Sequence, residues 1–296
     1  MSGEGIGEGL EFEAPFTIIE PRRLATPLVL NSPHSGRVYP RRFRERSRLD
    51  ELTLRRSEDA FVDELLAPCV ALGAPLMAAN FPRAYLDVNR EPYELDPLMF
   101  DGRLPAFVNT RSLRVAGGLG TIPRVVGEAQ EIYGQSMPVA EAMERIAKLY
   151  APYHGALRGL IERAAANFGV AVLLDCHSMP SNIAENAAPD FVIGDRYGAS
   201  AALWVVEALE HALRRLGYSV RRNKPYAGGF ITEHYGVPAS RRHAVQIEIN
   251  RALYMDERKV TKSDRWPELA ANLLSVVESV VLRIAREIAR PPMAAE

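Results

Sequence analysis

The chain has 296 residues, 47% hydrophobic and 25% charged, the balance of a soluble globular protein of one or two domains. With 36 basic against 37 acidic residues the formal net charge is -1, which gives no electrostatic footprint for nucleic acid or for an anionic membrane. Two cysteines, Cys69 and Cys176, make no disulfide framework, and no apolar run is long enough to span a bilayer. The Gly- and Glu-rich stretch from Met1 to Glu13 is the opposite of a secretory leader, so a cytoplasmic setting is expected.

Pro27 to Asn31 predicts a first strand, which runs into Ser32-Pro33-His34-Ser35-Gly36. The basic cluster Arg41 to Arg46 reads as a solvated loop or helix face. Between Asp59 and Leu72, Phe61, Val62, Leu65, Leu66 and Val70 recur at helical spacing, and Gly73 closes the helix. Ala74 to Asn80 is a second apolar run, followed by Asp87-Val88-Asn89-Arg90. The stretch at about 91–135 is rich in Pro, Gly and Arg and lacks periodicity. Loops of that length inside a compact domain are usually functional, so it reads as an insertion covering a site.

Ser136-Met137-Pro138 then opens a long helix with Met143, Ile146, Leu149, Leu157 and Ile161 on one stripe, kinked or divided at Pro152 and closed by Phe168-Gly169. Val170 to Leu174 predicts a buried strand that leads into Asp175-Cys176-His177-Ser178-Met179-Pro180. Asp190 to Gly194 and Tyr218 to Val220 predict strands on either side of an amphipathic helix from Gly198 to Leu216. Ala244 to Asn250 alternates apolar and polar residues, the period of a strand with one exposed face, and Pro267 to Ile288 supplies a final helix. Strands repeatedly separated by helices imply one α/β domain, residues 1–296, whose mostly parallel sheet is covered on both faces.

His34 and His177 both stand at the ends of predicted strands, where open α/β sheets bind ligands. Neutral imidazoles on rigid strands suit zinc, which in catalytic sites takes three protein ligands and keeps one position open. Glu58 or Asp59 could be the third ligand, although an N-cap equally accounts for Asp59, and both histidines could be satisfied buried side chains. Asp175 could orient the site. Glu248, near the end of its strand, could act as general base, although a lone strand Glu commonly faces solvent. Arg90 offers a planar fork to a substrate carboxylate or pairs with Asp87. Gly228-Gly229 admits a ligand close to the backbone, or simply turns the chain. Cys176 beside His177 raises a metal-independent cysteine hydrolase as a rival, whereas Cys69 reads as a core residue and His154 as a structural histidine.

These segments together resemble the N-formylglutamate amidohydrolase (N-formylglutamate deformylase) family. The resemblance is carried by Ser32 to Gly36, Asp59 to Leu65, Asp87 to Pro92, Gly118 to Ile122, Asp175 to Met179, Pro189 to Gly194, Gly228 to Gly236 and Gln246 to Met255. It implies a three-layer α/β/α fold with a central mixed, mostly parallel sheet, similar to zinc carboxypeptidases. It also implies His34, His177 and Asp59 (rather than Glu58) as ligands of Zn2+ or another divalent metal, Glu248 as the catalytic carboxylate, and Asn89-Arg90 as the receiver of a substrate carboxylate. The implied reaction is hydrolysis of an acidic N-formyl (N-acyl) amino acid, N-formylglutamate-like, to formate and the free amino acid. Two departures stand out: Arg37 occupies the position of a carboxypeptidase ligand Glu, and Glu233 replaces a more usual Arg, which is expected to weaken preference for an acidic substrate. A non-catalytic N-acyl amino acid binding protein is the second rival.

Overall fold

Apolar runs bounded by turn residues pair into one sheet of seven strands. These are β1 (Phe16–Ile19), β2 (Leu28–Ser32), β3 (Leu76–Ala79), β4 (Ala171–Met179), β5 (Phe191–Gly194), β6 (Val220–Arg222) and β7 (Arg242–Asn250), in the spatial order β1-β3-β2-β4-β7-β5-β6. β1 on β3 and β5 on β7 are antiparallel and the other pairs parallel, so the sheet is mixed and mostly parallel, as predicted. The computed structural model describes residues 12–127, 129–183 and 186–289. Most of the stretch from Met1 to Glu13 therefore lies outside the described residues.

The helices that pack near the sheet include α1 (Val62–Leu66), α2 (Val139–Arg145), α3 (Ala151–Phe168), α4 (Leu203–Arg215), α5 (Phe230–Tyr235) and α6 (Trp266–Ala289), with other short helices and turns between them. Successive strand residues face opposite sides of the sheet. Leu28, Leu30, Val172, Leu174, Cys176, Val245 and Ile247 bury one face under α1, α4 and α6. Val29, Met77, Ala171, Leu173 and Ala244 bury the other under α2, α3 and apolar residues of the insertion such as Leu95, Met99 and Ile122. The result is the expected three-layer α/β/α architecture. Among the described residues no helix is long and apolar enough to cross a membrane.

Several predicted boundaries move, each for a local reason. The helix expected over 59–72 is α1 followed by a tighter 3-10 segment, Ala67–Leu72, because Pro68 cannot donate an amide hydrogen. The helix through Pro152 is not broken; α2 runs into α3 through a π turn, Ile146–Tyr150, which places Pro152 in the first turn of α3. Arg41–Arg46 is a short helix that buries only Phe43. α4 begins at Leu203 rather than Gly198. β1 was not predicted: four residues of alternating partial exposure carry too weak a pattern.

The change at β4 matters most. The strand does not stop at Leu174 but continues through the polar motif to Met179. β2 accompanies it only as far as Asn31 opposite Asp175, and beyond that point only β7 pairs with it. The chain leaves β2 for β3 on one side while β4 lies on the other. Their carboxyl ends therefore open a crevice at the topological switch point, the usual ligand position in such sheets.

Candidate metal centre and substrate cavity

Three buried side chains from distant segments meet in this crevice. His34 lies in the turn after β2, His177 on the free edge of β4, and Asp59 at the head of α1. The turn carrying His34 needs Gly36, where a Cβ would come within 2.0 Å of the Phe81 carbonyl oxygen. Asp59 Oδ2 lies 2.9 Å from His177 Nδ1 and 3.2 Å from His34 Nδ1, and the two Nδ1 atoms are 3.1 Å apart.

The opposite ring nitrogens determine what that convergence means. His34 Nε2 lies 2.7 Å from Asp87 Oδ1, and His177 Nε2 lies 3.0 Å from Asp175 Oδ2. Carboxylates only accept, so these bonds place each ring's proton on Nε2 and turn the Nδ1 lone pairs toward Asp59. Two nitrogen lone pairs and a carboxylate oxygen facing one point repel unless positive charge sits among them. Burial lowers the His177 pKa, yet Asp175 and Asp59 outweigh it and raise it well above the usual range. Burial opposes the Asp59 charge, but the His177 and His34 rings beside it hold its carboxyl well below the ordinary carboxylate range. The set His34, Asp59 and His177 could hold a metal ion, and its N,N,O donors fit zinc.

Asp175 is itself fixed, its Oδ1 accepting from Asn31 Nδ2 at 2.8 Å. Asp87 accepts from Arg83 at 2.8 Å, and Arg90 Nη2 lies 3.6 Å away. Burial opposes its charge, but Arg90, His34 and Arg83 together hold it well below the usual range. The sequence offers Asp87 only as a partner for Arg90 and gives no sign of Arg83, although Asp87 heads the Asp87-Val88-Asn89-Arg90 segment.

Glu248 on β7 is the register partner of His177, so the two side chains share one face of the sheet. Burial pushes the Glu248 carboxyl up to about 7 against the opposing charges of His177, Arg83 and Arg251, with Asp59 adding to the rise. Its Oε1 accepts from Gln246 Nε2 at 2.8 Å, and Gln246 Oε1 accepts from the Gly229 amide at 2.8 Å. A cavity of about 360 Å³ opens over the centre, lined by Asp59, Asp87, His177, Glu248, Tyr226 and four arginines, Arg56, Arg83, Arg90 and Arg251. Leu119 and residues 125–127 of the insertion form part of its wall. A larger groove of about 690 Å³ between α4 and α6 holds no comparable cluster; its Glu210 pairs with Arg214 and Arg222.

The family model described as N-formylglutamate amidohydrolase matches residues 26–255, which takes in β2 through β7 and the whole cluster. The chain belongs to the N-formylglutamate amidohydrolase family. It is 30% identical over 237 residues to the N-formylglutamate deformylase of Pseudomonas putida, covering 78% of this chain and 82% of that protein. The corresponding deformylase of Pseudomonas aeruginosa is 31% identical over 244 residues, 80% and 85% of the two chains. The crystal structure of N-formylglutamate amidohydrolase from Ralstonia eutropha JMP134 superposes with a TM-score of 0.87 at 37% identity, covering 93% of this chain and 99% of that one.

The other residues singled out in the sequence fall into distinct places. Glu58 turns away from the centre to Tyr39 and Arg55, which leaves Asp59 as the carboxylate that faces the histidines. Arg37 pairs outward with Glu64 at 3.0 Å. Asn89 is buried behind His177, its Nδ2 3.3 Å from Nε2, and its Oδ1 accepts from the Ile231 amide at 2.8 Å. Gly229 packs on the Asn89 side chain, where a Cβ would lie 2.4 Å from it, so this glycine is needed for close packing. Gly228 and Gly229 are absent from the cavity lining. Glu233 also lies outside it and pairs with Arg196 at 3.0 Å, so its negative charge does not enter the cavity. Cys176, by the period of two, faces the apolar layer under α1, α4 and α6, and burial pushes its thiol well above the usual range. That arrangement removes the cysteine nucleophile.

Proposed function

We propose that this chain is a metal-dependent amidohydrolase that cleaves the N-formyl (N-acyl) amide bond of an acidic amino acid, N-formylglutamate in the first instance. The observation that carries this reading is the convergence of His34, Asp59 and His177 beside Glu248 at the floor of an arginine-lined cavity. The two relatives named N-formylglutamate deformylase support the substrate class.

In the proposed reaction water adds to the formyl carbon, the C–N bond breaks, and formate and the free amino acid leave. His34, Asp59 and His177 would hold a divalent ion, which would supply Lewis acidity and a lowered water pKa near neutral pH. Glu248 takes the proton from the attacking water and returns it to the departing nitrogen, a role matched by a pKa near neutrality. Gln246 holds Glu248 from behind, so the proton acceptor stays aimed at the cavity. Arg83, fixed by Asp87, places positive charge beside the centre, where negative charge develops on oxygen. Arg90 is anchored through Leu119 O and Asn89 O and lines the cavity, where it receives a substrate carboxylate.

The test is metal analysis of purified protein together with hydrolysis of a panel of N-formyl and N-acetyl amino acids. About one divalent metal per chain is expected, with N-formylglutamate and N-formylaspartate hydrolysed faster than N-formylleucine. Stoichiometric metal with no turnover of any panel member would instead support a binding protein.

A further inference from the structure

Arg251 is a buried arginine three residues beyond Glu248, and its four hydrogen bonds all end around Asp59. Its Nη1 donates to Arg56 O at 2.9 Å and its Nη2 to Glu58 O at 2.7 Å, which ties down the turn that carries Asp59. The same Nη2 lies 3.4 Å from Asp59 Oδ1. Nε donates to Ser178 Oγ at 3.0 Å, and that hydroxyl, its oxygen thus engaged, donates its own hydrogen to Asp59 Oδ1 at 3.1 Å.

A carboxylate oxygen has two lone pairs to offer, and both of those on Oδ1 are occupied, one by Ser178 and one by Arg251. Oδ2 receives neither of these donors and faces His34 Nδ1 and His177 Nδ1. We infer that Arg251, acting directly and through Ser178, is a positioning residue that makes Asp59 a one-oxygen metal ligand. It withholds Oδ1 and keeps the coordination positions that oxygen would take free for water and substrate. Loop geometry alone does not accomplish this, because Asp59 sits on an irregular turn and free rotation about its side chain would present either oxygen. This inference rests on the metal reading of the centre.

The experiment compares full-length wild type, Arg251→Lys and Ser178→Ala, each prepared metal-free and then loaded. Zinc affinity is measured by competition with a chromophoric chelator, the ligand-field spectrum with cobalt in place of zinc, and melting temperature in the metal-free form. Lysine keeps the charge but cannot donate to all four acceptors. Arg251→Lys is expected to raise the zinc Kd by about 10–100-fold, the usual cost of losing a group that orients a ligand. Ser178→Ala should shift it in the same direction by a smaller factor. In both, the cobalt bands should weaken as the released Oδ1 joins the coordination sphere.

Wild-type Kd and wild-type cobalt spectra in both variants would overturn the inference, even if Arg251→Lys melts at a lower temperature, since that pattern describes a mere loop staple. Ser178→Ala leaves every backbone contact of Arg251 in place and decides the question should Arg251→Lys fail to fold. Failure of the wild type itself to bind zinc or cobalt would overturn the metal reading instead, and this inference with it.

Discussion

Glu248 stands directly opposite His177 in the register of β4 and β7. Partnered residues of adjacent strands share a face, so the sheet itself fixes the distance between the proposed proton acceptor and a proposed metal ligand. A site built on strands is held more tightly than one built on loops. Asp59 lies on a turn rather than on a strand, and Arg251 and Ser178 brace it there.

Replacing Glu248 with Gln keeps the shape and the contact to Gln246 but removes the proton acceptor. Turnover should fall by about 10²–10⁴, the usual share of acid–base catalysis, while metal content stays at the wild-type level. Steady-state kinetics with metal analysis on the same sample checks both halves. Near-normal turnover would assign the proton to another group.

Asp87→Asn removes the carboxylate that keeps the His34 proton on Nε2 and steadies Arg83. Metal affinity should drop by about 10–100-fold, with His34 and His177 themselves untouched. Chelator competition reads this directly. Wild-type affinity would mean that His34 keeps its tautomer unaided.

Cys176 lies on the far face of the sheet from the cavity. Cys176→Ala should therefore leave kcat/KM within about twofold while costing on the order of 1 kcal/mol of stability. A chelator should abolish activity in wild type and variant alike. Loss of activity in a well-folded Cys176→Ala protein would reopen the thiol mechanism.

His154 gives the fold an acid-sensitive point. It is 6% exposed, with Nε2 2.9 Å from Val88 O and Nδ1 2.9 Å from the Tyr235 hydroxyl. Burial lowers its pKa to about 4, below the unfolded value of 6.5. Between those values the unfolded chain binds the extra proton. Its contribution is therefore complete above pH 6.5 and lost as pH falls toward 4, up to about 3 kcal/mol. Urea unfolding at pH 7 and pH 5 should show a smaller acid loss for His154→Gln than for wild type. Parallel losses would show that His154 is not the group responsible.

Much of this was legible in the sequence because the relevant signals are local. β2, β3 and β5 announce themselves as apolar runs and β7 by its alternation, and His34 and His177 gain meaning from standing where apolar runs end. The end of β4 was misjudged because its last residues are polar, and their polarity is satisfied by one another across the sheet and the crevice, which no window of sequence displays. The choice between Glu58 and Asp59 had no periodicity to settle it, since both lie on a turn. Asp87 and Arg251 gain their roles through contacts with residues far away in the chain; Asp87 meets His34 across 53 positions and Arg251 meets Asp59 across 192. Glu233 misled for the converse reason: its charge is real, but it is spent on Arg196 outside the cavity.

The strand order β3-β2-β4-β7 also governs when the centre can exist during synthesis. The middle of the sheet joins segments from the beginning, the middle and the end of the chain, and such non-local pairing is slow to form. A nascent chain that ends between residues 177 and 250 contains both histidines and Asp59 but lacks the Arg251 guanidinium that braces Asp59. On the proposed metal reading, the braced site is complete only once the last central strand and Arg251 have been made.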